Sequence, residues 1–73
     1  MSNREISLKE NLHRLRTERG LSRAELERLS GVSWPTIYDL EHGRRNPRLD
    51  TLQALAEVLE VGLDELCYGA ADH

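Results

Sequence analysis

Leucines recur along this chain at intervals of three or four residues, the spacing that places side chains on one face of an α-helix. No segment shows the strict apolar–polar alternation of a half-buried strand, so the pattern predicts an all-α fold. The positions expected to face the core are Leu8, Leu12, Leu15, Leu26, Leu29, Leu52, Leu55, Ala56, Leu59 and Leu66.

The first two predicted helices each begin with a capping box, in which a serine and the glutamate three residues later satisfy each other's backbone amides. Ser7 with Glu10 predicts a first helix from Leu8, and Ser22 with Glu25 predicts a second. Each of these helices is expected to end at a glycine that can adopt a positive φ, namely Gly20 and Gly31.

A third helix is predicted to start after Ser33, a suitable N-cap, with Pro35 tolerated in the first turn because amides there lack helical partners. It is expected to run to about His42. The Gly, Asn and Pro of residues 43–48 indicate a loop. Two further helices are predicted beyond that loop, at about 49–59 and 63–67.

Composition indicates one small soluble domain, since the 73 residues are 38% hydrophobic and 32% charged. The net charge of −3 is unevenly distributed: all ten Lys and Arg residues lie between Arg4 and Arg48, whereas residues 49–73 carry six acids and no base. This asymmetry fits a basic working face for nucleic acid, but it fits a solvated mixed surface equally well.

Several other classes of protein find no support in the sequence. No apolar run approaches the roughly 18 residues of a membrane helix, and the polar start is not a secretory signal, so we expect a cytoplasmic protein without membrane contact. The single cysteine, Cys67, excludes an internal disulfide. His13, His42 and His73 have no metal-ligand spacing, and no catalytic arrangement is evident. We therefore expect neither an enzyme nor a bound metal or cofactor.

The second and third helices are joined through Gly31-Val32-Ser33, as in a helix-turn-helix. This unit resembles the Cro/repressor-type (Xre-family) DNA-binding domain. The resemblance extends over residues 15–26, 30–47 and 49–66, and it is most specific in the run Leu-Glu-His-Gly-Arg at 40–44. The resemblance implies a compact five-helix bundle of the lambda-repressor-like type over residues 8–67, between tails at 1–7 and 68–73. It also implies a sequence-specific transcriptional regulator of double-stranded DNA.

In such a domain the third helix would lie in the major groove, which is about 12 Å wide and accepts one helix. The residues on this helix that would then face the bases are Trp34, Pro35, Tyr38 and Asp39. Asp39 would accept a hydrogen bond from cytosine N4, while Trp34 and Pro35 would pack on a thymine methyl group. The alternative is that Trp34 covers its own helix start and Asp39 merely faces solvent.

The resemblance implies phosphate contacts at Arg23, near the start of the second helix, and at Arg44, Arg45 and Asn46 in the loop after the third. Because helix starts attract phosphate oxygens, Ser22, Ser33 and Thr36 are expected to contribute as well. A solvated charge cluster is the alternative for Arg44 and Arg45. The resemblance also implies an ion pair between Arg16 and Glu41 that ties the first helix to the end of the third.

One small domain has a small footprint, so a homodimer on a near-palindromic operator is expected, with half-sites about 34 Å apart. The resemblance places the dimer contact at Val61, Leu63, Leu66, Cys67 and Tyr68. Alternatively, Leu63 and Leu66 close the core of the monomer.

Three residues depart from the family pattern: Glu27 in place of a usual alanine, Glu60 in place of a glycine, and Gly62 in place of a serine. Glu27 must reach solvent or find a partner such as Arg23, Arg28 or Arg44. The competing function is an antitoxin-like or other protein-interaction module with weak or secondary DNA binding, for which the acidic C-terminal half would offer a surface to a protein partner.

Overall fold

The computed structural model describes residues 8–69, which form five α-helices and, within that range, no strand. The all-α, five-helix prediction is confirmed, and each helix lies within a residue or two of its expected position. The predicted cap at Ser7 lies outside the described residues. The helices are α1 (Leu8–Glu18), α2 (Arg23–Ser30), α3 (Trp34–Glu41), α4 (Leu49–Leu59) and α5 (Leu63–Tyr68).

Side-chain caps fix the starts of α2 and α3. The amide of Glu25 donates to Ser22 Oγ at 3.0 Å, and the amide of Ser22 donates to Glu25 Oε1 at 2.9 Å, which completes the capping box. Gly31 then ends α2 with a φ of 81°, a conformation that glycine adopts without steric penalty. Ser33 Oγ accepts from the amide of Thr36 at 3.3 Å. The turn between the two helices is therefore only three residues long.

One apolar core joins all five helices. Its buried members are Leu12, Leu15, Leu26, Ile37, Leu40, Leu52, Leu55, Ala56, Leu59 and Leu66. The expectation that Leu29 faces this core was wrong, because its side chain is 49% exposed. The eight-residue α2 packs on α3 and α4 mainly around Leu26, and Leu29 lies beyond the reach of that contact.

Helix α5 is held against α1. The side-chain amide of Asn11, itself buried, donates to the carbonyl oxygen of Leu66 at 3.1 Å. The Leu66 side chain is completely buried within the monomer, so it closes the core. The prediction that Leu66 supplies dimer surface is corrected accordingly, since a side chain with no exposed area has none to offer a second copy.

The connection between α4 and α5 contains a glutamate where glycine would be easier. Glu60 caps α4 with a φ of 61°, and its amide donates to the carbonyls of Ala56 and Glu57. A non-glycine residue in this left-handed region carries a local conformational cost. Gly62 then begins α5 without a side-chain cap. Across residues 8–69 no helix has the length and apolar character needed to cross a membrane.

Candidate nucleic-acid interface

Helix α3 has one anchored face and one open face. Ile37 and Leu40 are buried in the core, which fixes the orientation of the helix. Trp34 and Pro35, at its first turn, are exposed, and Tyr38 is half-buried. The residues expected to contact bases therefore lie together on the side of α3 that the core leaves uncovered.

Three rings stack along α3 at steps of four residues, so that they stand above one another on the helix surface. The ring centroids of Trp34 and Tyr38 are 5.3 Å apart, with an angle of 15° between the planes. Those of Tyr38 and His42 are 4.0 Å apart, at 19°. The Nδ1–H of His42 also donates to the carbonyl oxygen of Tyr38 at 2.8 Å. We call Trp34, Tyr38 and His42 the ring ladder.

Two arginines lie over the ring ladder. The guanidinium carbon of Arg23 is 5.8 Å from the Trp34 ring centroid and 5.1 Å from that of Tyr38. Arg44 approaches Tyr38 to 5.7 Å. Cations at these distances are attracted to the negative faces of the rings. The open side of α3 is therefore an aromatic surface flanked by positive charge.

Glu41, at the end of α3, joins three elements of the fold. Arg16 Nε donates to Glu41 Oε2 at 2.6 Å and Arg16 Nη2 donates to Oε1 at 2.9 Å, which forms a bidentate pair between α1 and α3. Arg23 Nε donates to Oε1 at 3.0 Å, and His13 Nδ1 lies 3.4 Å from the same oxygen. Arg16 Nη1 also donates to the carbonyl of Leu21 at 2.8 Å. These contacts hold α1, the start of α2 and the end of α3 together.

The Glu41 side chain is only 1% exposed, and that of Arg16 only 7%. Burial by itself raises the pKa of Glu41, but the hydrogen bonds and charge of Arg16, with smaller contributions from His13 and Arg23, outweigh it. The net pKa lies below the usual range. The carboxylate is therefore ionised at neutral pH despite its burial.

The structure gives Arg23 a role that the sequence did not suggest. It was expected to contact phosphate, yet its side chain bridges Glu41 and the ring ladder. The four-residue spacing of Trp34, Tyr38 and His42 was the available signal for the ladder. No local pattern connects Arg23 to Glu41, because these residues meet only through the packing of α2 on α3.

Asp39 is also engaged. Its carboxylate accepts from Arg45 Nη2 at 3.3 Å, and both side chains remain partly exposed. Asp39 is therefore not an unpaired acid facing solvent.

The predicted phosphate-contacting residues occupy three neighbouring places. Ser22 and Ser33 are exposed at the starts of α2 and α3, and Arg44 is exposed in the following loop. Ser33 Oγ and Thr36 Oγ1 lie 2.8 Å apart. Thr36 also lines one pocket with two loop residues predicted to contact phosphate, Arg45 and Asn46.

Glu27, the main departure from the family pattern, is half-buried on α2. Among the described residues it forms no ion pair with Arg23, Arg28 or Arg44. Its carboxylate reaches solvent instead, and α2 still packs on α3.

No group of three or more His, Cys, Asp or Glu side chains in residues 8–69 is placed to hold a metal ion. Cys67 is partly buried, and both burial and the nearby charge of Asp64 raise its thiol pKa.

Two short helices joined by a tight turn, the second anchored on one face and flanked by arginines, define the helix-turn-helix class of DNA-binding domains. The family model described as helix-turn-helix (HTH_3) matches residues 12–66, most of the chain. The chain belongs to this family, the Cro/repressor-type helix-turn-helix domains of transcriptional regulators.

Curated relatives agree with this assignment. Over 64 residues the chain is 41% identical to the HTH-type transcriptional regulator DdrOP3 of Deinococcus deserti, covering 88% of this chain and 50% of the relative. Over 65 residues it is 40% identical to the HTH-type transcriptional repressor RghR of Bacillus subtilis, covering 88% and 48%. The chain thus spans about half the length of each of these two relatives.

Solved structures show the same fold. The restriction-modification controller protein C.AhdI from Aeromonas hydrophila superposes with a TM-score of 0.78 at 36% identity, covering 81% of this chain and 89% of that one. The P22 c2 repressor in complex with a synthetic operator gives a TM-score of 0.82 at 26% identity, covering 89% and 98%.

Proposed function

We propose that this chain regulates transcription by inserting α3 into the major groove of operator DNA as one half of a homodimer. The observation that carries the proposal is the division of α3 into two faces. Ile37 and Leu40 fix it to the core, while Trp34 and Tyr38 stand on the open face beside the guanidinium group of Arg23. The structure of the P22 c2 repressor with its operator supports the same use of this fold.

Base contacts are assigned to the open face of α3 and phosphate contacts to its surroundings. The base-contacting residues are Trp34, Pro35, Tyr38 and Asp39, and Asp39 must share its carboxylate with Arg45. The phosphate contacts comprise the helix starts at Ser22 and Ser33, Thr36, and the loop residues Arg44, Arg45 and Asn46. Arg23 contributes positive charge beside them. Phosphate contacts position the protein and make its affinity for DNA dependent on salt.

The dimer contact is proposed at α5 and the connection that precedes it. Tyr68 is 70% exposed, and Val61, Leu63 and Cys67 are partly exposed beside it. A two-fold contact through this surface would place two copies of α3 on half-sites about 34 Å apart. We place the protein in the cytoplasm, where operator DNA is found, and assign it no catalytic role.

The test is selection of bound sites from a randomised duplex pool at about 50 and about 200 mM salt. We expect enrichment of a two-fold symmetric sequence whose affinity falls steeply with salt. Replacing both Arg44 and Arg45 with alanine should weaken binding to all sequences and reduce the salt slope by about two. Arg14→Ala is a control that removes one exposed positive charge from α1, away from the proposed contacts. Negligible binding even at the lower salt would refute the proposal.

A protein partner is the second candidate. Helices α4 and α5 carry acids and no bases, which offers a surface to a basic partner. One structural neighbour, at 27% identity and a TM-score of 0.78, is the SinR protein in complex with the SinI protein. A module that acts only through such a partner would show no salt-dependent affinity for DNA, so the same selection experiment separates it from a regulator that reads an operator.

A further inference from the structure

The open face of α3 has few groups for hydrogen-bonded recognition of bases. Between Trp34 and Glu41 there is no Arg, Lys, Asn or Gln, the side chains that most often form paired hydrogen bonds with base edges. Asp39, the one acid on this face, is engaged by Arg45 at 3.3 Å. Pro35 has neither an amide hydrogen nor a polar side-chain atom. Trp34 and Tyr38 add only one polar group each, an indole N–H and a hydroxyl, so most of the surface that they and Pro35 present offers apolar contact.

Trp34 is held ready for such a contact. Its ring packs on Tyr38 on one side and lies near the guanidinium of Arg23, yet 39% of the residue remains exposed. Tyr38 is in turn fixed by its stacking on His42. A ring already restrained before binding loses little conformational freedom when it is covered, and that saves part of the usual entropic cost of association.

Only one apolar group projects from the base pairs into the major groove of DNA, the methyl group at C5 of a pyrimidine. We infer that Trp34, with Pro35 beside it, recognises the 5-methyl group of a pyrimidine in each half-site, and that Tyr38 positions the Trp34 ring. The inference rests on the proposed function and names the chemical feature that the site selects. Thymine and 5-methylcytosine both present this group, so the experiment must separate them.

The first experiment replaces each thymine of the selected site, one position at a time, with deoxyuridine, which removes only the methyl group. At one or two positions in each half-site we expect affinity to fall about fourfold, and about fifteenfold when both half-sites are changed. At each CpG or other cytosine of the site, cytosine is compared with 5-methylcytosine. If methylation of a cytosine raises affinity about fourfold, and no uridine substitution lowers it, the recognised methyl group is that of 5-methylcytosine.

The second experiment assigns the effect to Trp34. The Trp34→Ala protein should bind the thymine and uridine duplexes with equal affinity. The Trp34→Phe protein should keep part of the difference in affinity. Tyr38→Ala should reduce the difference, because the ring of Trp34 is then no longer held. Leu29→Ala is the matched control, since it removes an exposed apolar side chain of α2 that has no assigned DNA contact, and it should keep the full difference.

A third measurement uses the unmodified protein, because Trp34 is the only tryptophan in the chain. Its fluorescence should become protected from acrylamide quenching on binding the thymine duplex, and less protected on binding the matching uridine duplex. Equal affinities of the wild-type protein for methylated and unmethylated duplexes, or an unprotected Trp34 in the complex, would overturn the inference while leaving DNA binding intact. Absence of any duplex binding would instead refute the proposed function and the inference with it.

Discussion

Loss of the buried carboxylate charge of Glu41 should destabilise the fold strongly. The substitution Glu41→Gln keeps the size of the side chain and one hydrogen-bond acceptor, but it removes the negative charge. Arg16, 7% exposed, and Arg23 would then face each other across a neutral amide. The Arg16 guanidinium would keep its cost of burial without the attraction that offsets it, and Arg23, whose side chain is 25% exposed, would keep a smaller cost.

The size of the effect follows from that imbalance. Removing one partner of a buried ion pair costs about 3–5 kcal/mol, and the remaining amide acceptor places this change near the lower end. A domain of this length has a total free energy of unfolding of roughly 4–11 kcal/mol. The loss is therefore a large fraction of the total, and it should lower the melting temperature by about 12–24 °C.

The assay is thermal and urea unfolding followed by circular dichroism, at neutral pH. Arg14→Ala provides the comparison, because it breaks the exposed Arg14–Glu18 pair on the same α1 and should cost no more than about 0.5 kcal/mol. The double variant Arg16→Met with Glu41→Leu should recover much of the loss, since the deeply buried guanidinium is removed together with its carboxylate and Arg23, whose side chain is 25% exposed, can turn to solvent. A Glu41→Gln protein as stable as Arg14→Ala would refute this account of the ion pair.

Further expectations concern four other measurements. Because the pKa of Glu41 is lower in the folded state than in the unfolded chain, its stabilisation should be fully present above the pKa of an unfolded glutamate. It should be lost as the pH falls through the lower folded-state pKa, and Glu41→Gln should lack this component in acid titrations. Leu66→Ala should cost about 2–5 kcal/mol in urea unfolding, whereas Leu49→Ala, at an exposed position, should cost far less. Ser22→Ala should cost about 1 kcal/mol through loss of the α2 cap. The Cys67 thiol, with its pKa raised, should react with iodoacetamide more slowly at neutral pH than it does in the urea-unfolded chain.

The limits of each helix could be predicted because their signals are local. The Ser22–Glu25 capping box and the glycine at position 31 act within a few residues of sequence, and both are present as expected. Burial was harder to predict. Helical spacing predicts which face of α2 carries Leu29, but it does not predict whether another helix is long enough to cover that side chain. The contact of Arg23 with Glu41 could not be predicted at all from spacing, because it joins residues 18 positions apart through the packing of two helices.

The separation of charge along the chain has a consequence for how the molecule approaches a partner. Every lysine and arginine precedes residue 49, while the elements that follow, α4 and α5, carry only acids among their charged residues. We expect the domain to act as an electric dipole, because the excess of bases precedes α4 and the negative charge of α4 and α5 is not balanced by any base. In the field of a polyanion such a body experiences a torque, which turns the basic side forward before any contact forms and penalises arrival on the acidic side. Orientation of this kind raises the fraction of collisions that are productive, and its benefit shrinks as added salt shortens the range of the field.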